Sequence, residues 1–124
     1  MHLQHYLLEL RRLYGEGTPE NTYVPTLAEF LRRALPDVEV IPWPKGKAVG
    51  LPDIGIKANG IIEGYVEAEA LKTPLAKNNK GLEQALRYSK EAPTVLTNFH
   101  EFKLFDSGKE VWRFALPQEA LLEA

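Results

Sequence analysis

Cysteine is absent from this chain of 124 residues. Disulfide bonds and thiolate metal sites are therefore excluded, and a reducing compartment, by default the cytoplasm, is the expected location. Long apolar runs are also missing, because no stretch reaches the length of a membrane span. Glu9, Arg11 and Arg12 interrupt the first segment, where a signal peptide needs apolar residues. We therefore expect a soluble, untargeted protein with no membrane partner.

A basic excess is missing as well. The formal net charge is -2 at pH 7, whereas a domain that holds DNA on its own usually has surplus positive charge. If nucleic acid is the substrate, either another domain delivers it or a local basic patch holds it. Ordinary solvated surface is the alternative interpretation of that patch. The candidate side chains are Lys45, Lys47, Lys77, Lys80, Arg87 and Lys90.

The composition that remains, 44% hydrophobic and 26% charged, is typical of one compact globular domain. Apolar residues recur at helical spacing from His2 to Tyr14, which predicts a first amphipathic helix. A second helical pattern has its N-cap at Thr18-Pro19-Glu20, and Pro25 either kinks that helix or marks its true start. A third helix is predicted from Gly81 to Glu91, and a short helical segment near Pro117.

Six short β-rich runs are interspersed with these helices. A helix between strands permits a parallel crossover, so the element order predicts an α/β fold in which helices flank both faces of a mixed central β-sheet. The predicted strands are Val38–Ile41, Ile54–Ala58, Ile61–Ala68, Thr94–Thr97, Phe102–Phe105 and Val111–Phe114.

The turn signal at Asn59-Gly60 predicts a hairpin whose register can be tested against hydrophobicity. A two-residue loop pairs Ala58 with Ile61 and mixes apolar with acidic residues on one face. A three-residue loop with a bulge at Gly60 pairs Lys57 with Ile61, and we favour it because it separates the two kinds of side chain. It places Ile54, Ile56, Ile62, Val66 and Ala68 on one face, and Asp53, Glu67 and Glu69 on the other.

Three carboxylates on one face of neighbouring strands repel one another. A bound cation, a lysine or protonation must offset this repulsion. Magnesium suits hard oxygen ligands of this kind, and such an ion supports hydrolysis of phosphate esters. The alternative is that these are ordinary acidic residues on a solvated sheet face.

Five sequence blocks, in this order and spacing, resemble a known family. The blocks are Thr18–Tyr23, Gly50–Ile54, Gly64–Ala68, Gln84–Tyr88 and Leu96–Phe102. They resemble the nuclease domain of the PD-(D/E)XK superfamily that opens large single-chain restriction-modification enzymes of the Type IIG and Type ISP kinds. The resemblance implies a restriction endonuclease-like fold and a metal-dependent deoxyribonuclease. It further implies that residues 1–124 are a single nuclease domain, the amino-terminal part of a longer polypeptide with methyltransferase and target-recognition domains.

The resemblance also assigns roles to individual residues. Asp53 and Glu67 match the metal-binding carboxylates, the Ala68 carbonyl completes the shell, and Glu20 matches the carboxylate that the first core helix directs at the metal. The implied cofactor is Mg²⁺, for which Mn²⁺ can substitute. Each residue also has a structural interpretation: Glu20 is then a first-turn glutamate, Asp53 a residue that opens a strand, and Glu67 an exposed strand carboxylate.

Glu69 departs from the family pattern, which has lysine at this position. Some members of the superfamily have glutamate there, where it serves as an extra metal ligand or as a general base. Lys72 is the nearby candidate for returning a positive charge to the site.

Gln84 and Tyr88 are one helical turn apart and resemble a Gln-x-x-x-Tyr element of some DNA-processing nucleases. They are candidates to contact the scissile strand, with Lys80 and Arg87 as further DNA-binding candidates on the same helix. The alternative is a polar helix face with Tyr88 at its boundary.

The sequence leaves three hypotheses for function. The first is a Mg²⁺-dependent endonuclease domain in which Glu20, Asp53, Glu67 and Glu69 hold the metal, with a possible dimer for double-strand cleavage. The second is a catalytically impaired module that positions DNA or contacts another domain. The third is a dimeric nuclease that processes RNA.

Overall fold

The computed structural model describes residues 2–15, 23–42, 52–69, 74–75 and 80–116. These ranges contain helices α1 (His2–Gly15), α2 (Tyr23–Ala34) and α3 (Lys80–Tyr88), and strands β1 (Glu39–Pro42), β2 (Ile54–Ala58), β3 (Ile61–Ala68), β4 (Thr94–Thr97), β5 (Glu101–Asp106) and β6 (Lys109–Ala115).

The six strands form one mixed sheet in the order β1-β2-β3-β4-β5-β6. Neighbouring strands are antiparallel except β3 and β4, which are parallel. A parallel pair needs a crossover connection, and α3 lies within the one that joins β3 to β4. The predicted crossover is therefore confirmed.

The β2–β3 hairpin differs from its prediction. Asn59 and Gly60 both have positive φ, 53° and 79°, and they form a two-residue turn that pairs Ala58 with Ile61. The three-residue loop was wrong, because Asn-Gly suits a turn with two left-handed residues, whose twist matches that of the flanking strands. Further along, a bulge between Ile56 and Lys57 shifts the register by one residue.

The bulge places apolar and acidic side chains on opposite faces of the sheet. The prediction had attributed this separation to a three-residue loop. Beyond it Ile54 pairs with Val66, so the apolar residues of both strands share one face and the face with Glu67 is the opposite one. Ile62 is an exception, because it lies on the turn side of the bulge and pairs with Lys57. Its predicted place among the apolar face residues was wrong.

Helices α1 and α2 cover the apolar face of the sheet. Tyr6 stacks on Phe30 with ring centroids 4.7 Å apart, and its hydroxyl donates a hydrogen bond of 2.7 Å to the Phe99 carbonyl. This layer joins α1, α2 and the sheet into one core, whose buried members are Tyr6, Leu10, Tyr23, Val24, Leu27, Ala28, Val40, Ile54, Val66, Ala68, Phe99 and Leu116.

Helix α3 covers the opposite face, where Ala85 packs with Leu75, Leu96 and Phe105 in a second, smaller core. Helices thus lie on both faces of a mixed sheet, as the sequence predicted. The carboxylates on this second face lie on the same side of the sheet as α3.

Several element boundaries refine the sequence prediction. Helix α2 begins at Tyr23, so Pro25 falls in the first turn, where its missing N–H costs no hydrogen bond. Helix α3 ends at Tyr88 rather than Glu91. The predicted N-cap at Thr18-Pro19-Glu20 and the helical segment near Pro117 lie outside the described residues. In the described part of the chain, no helix has the length and apolar character needed to cross a membrane.

Candidate active site

Asp53 lies where the β2–β3 ladder ends. Its Oδ2 accepts a hydrogen bond of 2.7 Å from the backbone N–H of Ala68. Because β2 begins only at Ile54, the Asp53 side chain, and not a backbone carbonyl of β2, accepts the hydrogen bond of the Ala68 N–H. The paired register ends at Ile54 and Val66, so Asp53 precedes the last pair on β2 and Glu67 follows it on β3. Glu67 pairs with Leu96, which packs against Ala85 of α3, so Glu67 lies on the face that α3 covers.

Both carboxylates are buried, with 6% of Asp53 and 7% of Glu67 exposed. Buried acidic residues are rare unless hydrogen bonds, an opposite charge or a metal compensates the lost hydration. Carboxylate oxygens of this kind are ligands that a hard divalent cation takes.

Tyr88 of α3 lies on the same side of the sheet as Glu67. Only 4% of the residue is exposed, and its hydroxyl has no hydrogen-bond partner among the described residues. Burial raises the Tyr88 pKa; Arg87 opposes this rise, while the negative charges of Glu67 and Asp53 add to it. The hydroxyl is therefore close enough to feel both carboxylates, and it keeps its proton at neutral pH.

Two further side chains flank the Tyr88 ring. The Tyr65 ring lies 5.8 Å away, and the Arg87 guanidinium lies 5.1 Å from the centre of the Tyr88 ring. Tyr65 shares the face of Glu67 because strand residues two apart point the same way. Burial is the main cause that raises the pKa of Tyr65, and the nearby Glu91 adds to it. The described part of the site thus combines acidic side chains with the rings of Tyr65 and Tyr88 and the guanidinium of Arg87.

Glu69 extends the β3–β4 pairing by one residue, since its N–H donates to the Thr97 carbonyl at 2.7 Å. Its side chain points to the first turn of α3, where a Cβ added to Gly81 would overlap the Glu69 carboxylate. The position that resembles the family's lysine is therefore occupied by a carboxylate packed against α3.

The structure brings Tyr88 near Asp53 and Glu67, whereas the Glu69 carboxylate lies against Gly81 at the start of α3. Gln84 is half-buried on α3, and Lys80 and Arg87 are exposed on the same helix. Ala68 contributes its backbone. Glu20 and Lys72 lie outside the described residues, so their predicted roles stay predictions. Within the described ranges, no group of three or more His, Asp or Glu side chains has the spacing of a metal site.

Two residues of this site were not predicted from the sequence, Tyr65 and Gly81. Tyr65 precedes Glu67 by two residues, and strand alternation alone places it on the same face. Gly81 was recognised only as the first residue of a predicted helix. Glycine lowers the stability of a helix, so a glycine in the first turn indicates that another group approaches the helix closely there.

The fold and the site define an α/β domain with a buried carboxylate pair between a mixed sheet and a covering helix. No protein-family model matches the sequence, and no curated protein is matched by it. Among solved structures, the chain is similar to one in the cryo-EM structure of a DrdV–DNA complex, with 17% sequence identity and a TM-score of 0.66. The similarity covers 96% of this chain but 13% of that one. At this identity the likeness shows the fold alone, and the fold agrees with the expected α/β class of a mixed sheet with helices on both faces.

Proposed function

We propose that this chain is a metal-dependent deoxyribonuclease domain that hydrolyses phosphodiester bonds in DNA. The observation that supports this most directly is the buried pair Asp53 and Glu67. Their charges reach the buried Tyr88 hydroxyl, which has no hydrogen-bond partner among the described residues. The fold is shared with a chain that was solved in complex with DNA. Acidic side chains are rarely this buried in a protein, and carboxylate oxygens are the ligands that Mg²⁺ takes.

The donor set fits a hard divalent cation, Mg²⁺ or Mn²⁺. Asp53 and Glu67 supply carboxylate oxygens, the kind of ligand that Mg²⁺ takes along with waters and substrate phosphate. The N–H and C=O of one strand residue point to the same side, so the Ala68 carbonyl is directed toward Asp53, which the Ala68 N–H contacts. Glu20 is the proposed further ligand from the segment before α2.

A bound divalent ion would polarise the phosphodiester and lower the pKa of the attacking water. Around it, each side chain has its own task. The Ala68 N–H holds Asp53 in one orientation. The Tyr88 hydroxyl donates to a phosphate oxygen, which gives this buried donor the acceptor it lacks in the protein alone. Gln84, Lys80 and Arg87 contact the sugar-phosphate backbone along α3. The products are a 5′-phosphate and a 3′-hydroxyl.

A second candidate function is a module of the same fold that positions DNA, or contacts another domain, without cutting. The observation that favours it is the placement of Glu69, whose carboxylate packs against Gly81 where the resembled family has a lysine. Lys72 is the proposed source of the missing charge in the catalytic version. The two functions differ in whether Asp53 is needed for a chemical step.

The proposed context is a restriction-modification polypeptide in the cytoplasm. The chain spans 13% of the length of the DrdV chain that it matches. We propose that methyltransferase and target-recognition domains of a parent chain deliver the DNA, since a net charge of -2 gives this domain little hold on DNA alone. One active site per chain further suggests that two copies act together on a duplex.

The deciding experiment compares cleavage by the wild type and by Asp53→Asn. Supercoiled plasmid is incubated with Mg²⁺ or Mn²⁺ and with either this chain or its full-length parent. The asparagine oxygen can still accept the Ala68 N–H, so the variant should fold while the metal ligand is weakened. We expect nicked and linear DNA from the wild type and only background from the variant.

The matched control is Asp106→Asn, which removes the same charge from an exposed residue at the end of β5. It should cleave like the wild type. Equal persistence of plasmid in wild-type and Asp53→Asn reactions, with the parent chain included, would contradict catalysis and leave the positioning module. Cleavage of an RNA duplex but not of plasmid would instead support the RNA-processing hypothesis.

A further inference from the structure

The placement of Glu69 is fixed at both ends of the residue. Its backbone N–H donates to the Thr97 carbonyl at 2.7 Å, one step beyond the pairing of Ala68 with Thr97. Its carboxylate occupies the space that a Cβ on Gly81 would need. The sheet thus holds one end of Glu69 and the first turn of α3 receives the other.

Gly81 belongs to a single stripe along α3. Gly81, Ala85 and Tyr88 follow one another at spacings of four and three residues, which places them on one face of a helix. All three are buried. Glu69 therefore contacts one end of the stripe, and at the other end the Tyr88 hydroxyl lies near Asp53 and Glu67.

The chemistry of this contact favours a carboxylate. The amino end of a helix presents unpaired N–H groups and a partial positive charge, which attract an anion and repel an ammonium group. A lysine at residue 69 would bring the wrong charge to that turn. A Cβ on Gly81 would overlap the far end of the Glu69 side chain, so the carboxylate would have to leave its present place.

We propose that Glu69 is a positioning residue: it docks the first turn of α3 onto the sheet and thereby sets the Tyr88 hydroxyl over the Asp53–Glu67 pair. It does not supply the metal ligand or general base that its position in the resembled motif implies. This inference rests on the proposed function for the meaning of the site, although the docking itself can be measured without metal or DNA.

The first measurement is the ¹³Cζ resonance of Tyr88 in divalent-free protein labelled at its five tyrosines, with Tyr88→Phe to assign the signal. Glu69→Ala and Gly81→Ala should each displace the Tyr88 resonance, because each removes or blocks the docking contact. Glu69→Gln keeps the shape of the side chain and its acceptor oxygen, so it should restore a resonance close to the wild type.

The matched control is Glu83→Ala. Glu83 is the acidic residue in the first turn of α3, but it is exposed, so its loss changes the charge of that turn without touching the docking contact. The Tyr88 resonance should not move in this variant. If Glu69→Ala does not fold, as judged by circular dichroism, Gly81→Ala and Glu69→Gln still decide the outcome.

The second measurement separates positioning from ligation. Calorimetric titration with Mn²⁺ should show affinity weakened by about tenfold or more in Asp53→Asn, but changed by less than about twofold in Glu69→Gln. Equal weakening in both variants would overturn the proposal, as would an unmoved Tyr88 resonance in both Glu69→Ala and Gly81→Ala. If the wild type binds no Mn²⁺, the proposed function fails at that step, and the resonance experiment still decides the role of Glu69.

Discussion

Replacing Tyr88 with phenylalanine should stabilise the domain in the absence of divalent metal. The Tyr88 hydroxyl is buried without a partner among the described residues. A buried polar group without a hydrogen bond costs about 1–3 kcal/mol, so its removal restores part of that free energy. The ring keeps its contact with Tyr65, since phenylalanine has the same shape.

We expect the free energy of unfolding to rise by about 1 kcal/mol, which corresponds to roughly 3–6 °C in Tm for a domain of this size. Tyr6→Phe is the matched control, because the Tyr6 hydroxyl is equally buried but donates to the Phe99 carbonyl at 2.7 Å. Its loss should lower stability by about 1–2 kcal/mol. Thermal and urea unfolding of the two variants beside the wild type measure both values.

Under the proposed function, the same Tyr88→Phe change slows DNA cleavage by roughly 100-fold, the usual cost of removing one donor to developing charge. If a residue is retained for function at a cost in stability, its replacement should raise stability and lower activity. If Tyr88→Phe destabilises the protein as much as Tyr6→Phe does, the hydroxyl has a partner in solution, and the assignment of Tyr88 to the site is refuted.

Two other predictions concern the sheet. Gly60→Ala should cost about 1 kcal/mol, because φ at this turn residue is 79° although no atom lies within 4 Å of the added Cβ; an unchanged urea midpoint would contradict this backbone origin. Arg113 hydrogen bonds hold the Glu110 pKa below its ordinary value of 4.5. A carboxyl group whose pKa is lower in the folded state stabilises the protein at pH values above its ordinary pKa. Glu110→Gln should therefore lower the free energy of unfolding by under about 1 kcal/mol at neutral pH. The difference should vanish as the pH falls through the depressed pKa. Parallel unfolding curves for both proteins across the acid range test this sign.

The order of helices and strands was predictable because it depends on local periodicity. The strand Thr94–Thr97 has the same bounds in the structure as in the prediction. Asp53 and Glu67 could be assigned to one face because successive side chains of a strand point to opposite faces of the sheet. The expected fold class followed from these elements, since few arrangements bury all their apolar faces.

The hairpin shows where this reasoning reaches its limit. The alternation of side chains along a strand determined which residues share a face. One extra residue reverses that assignment for the residues beyond it, whether it lies in the turn or within a strand. The prediction placed that residue at Gly60, whereas the structure places the register shift between Ile56 and Lys57. Strand twist favours the tight turn at Asn59-Gly60, so the extra residue lies within the ladder instead.

Sequence alone determined that a pair of acidic side chains lies on the less apolar face of a mixed sheet, since hydrophobic alternation decides which face turns to the larger core. Only the tertiary structure decided that this face is covered by α3, so that the pair is buried and Tyr88 lies within reach of its charges. The same is true of Glu69: its direction follows from alternation, but its contact with Gly81 joins residues that are brought together by the β3–α3–β4 crossover. Contacts of this kind depend on how closely a helix approaches a sheet, and that distance is set by all the side chains between them.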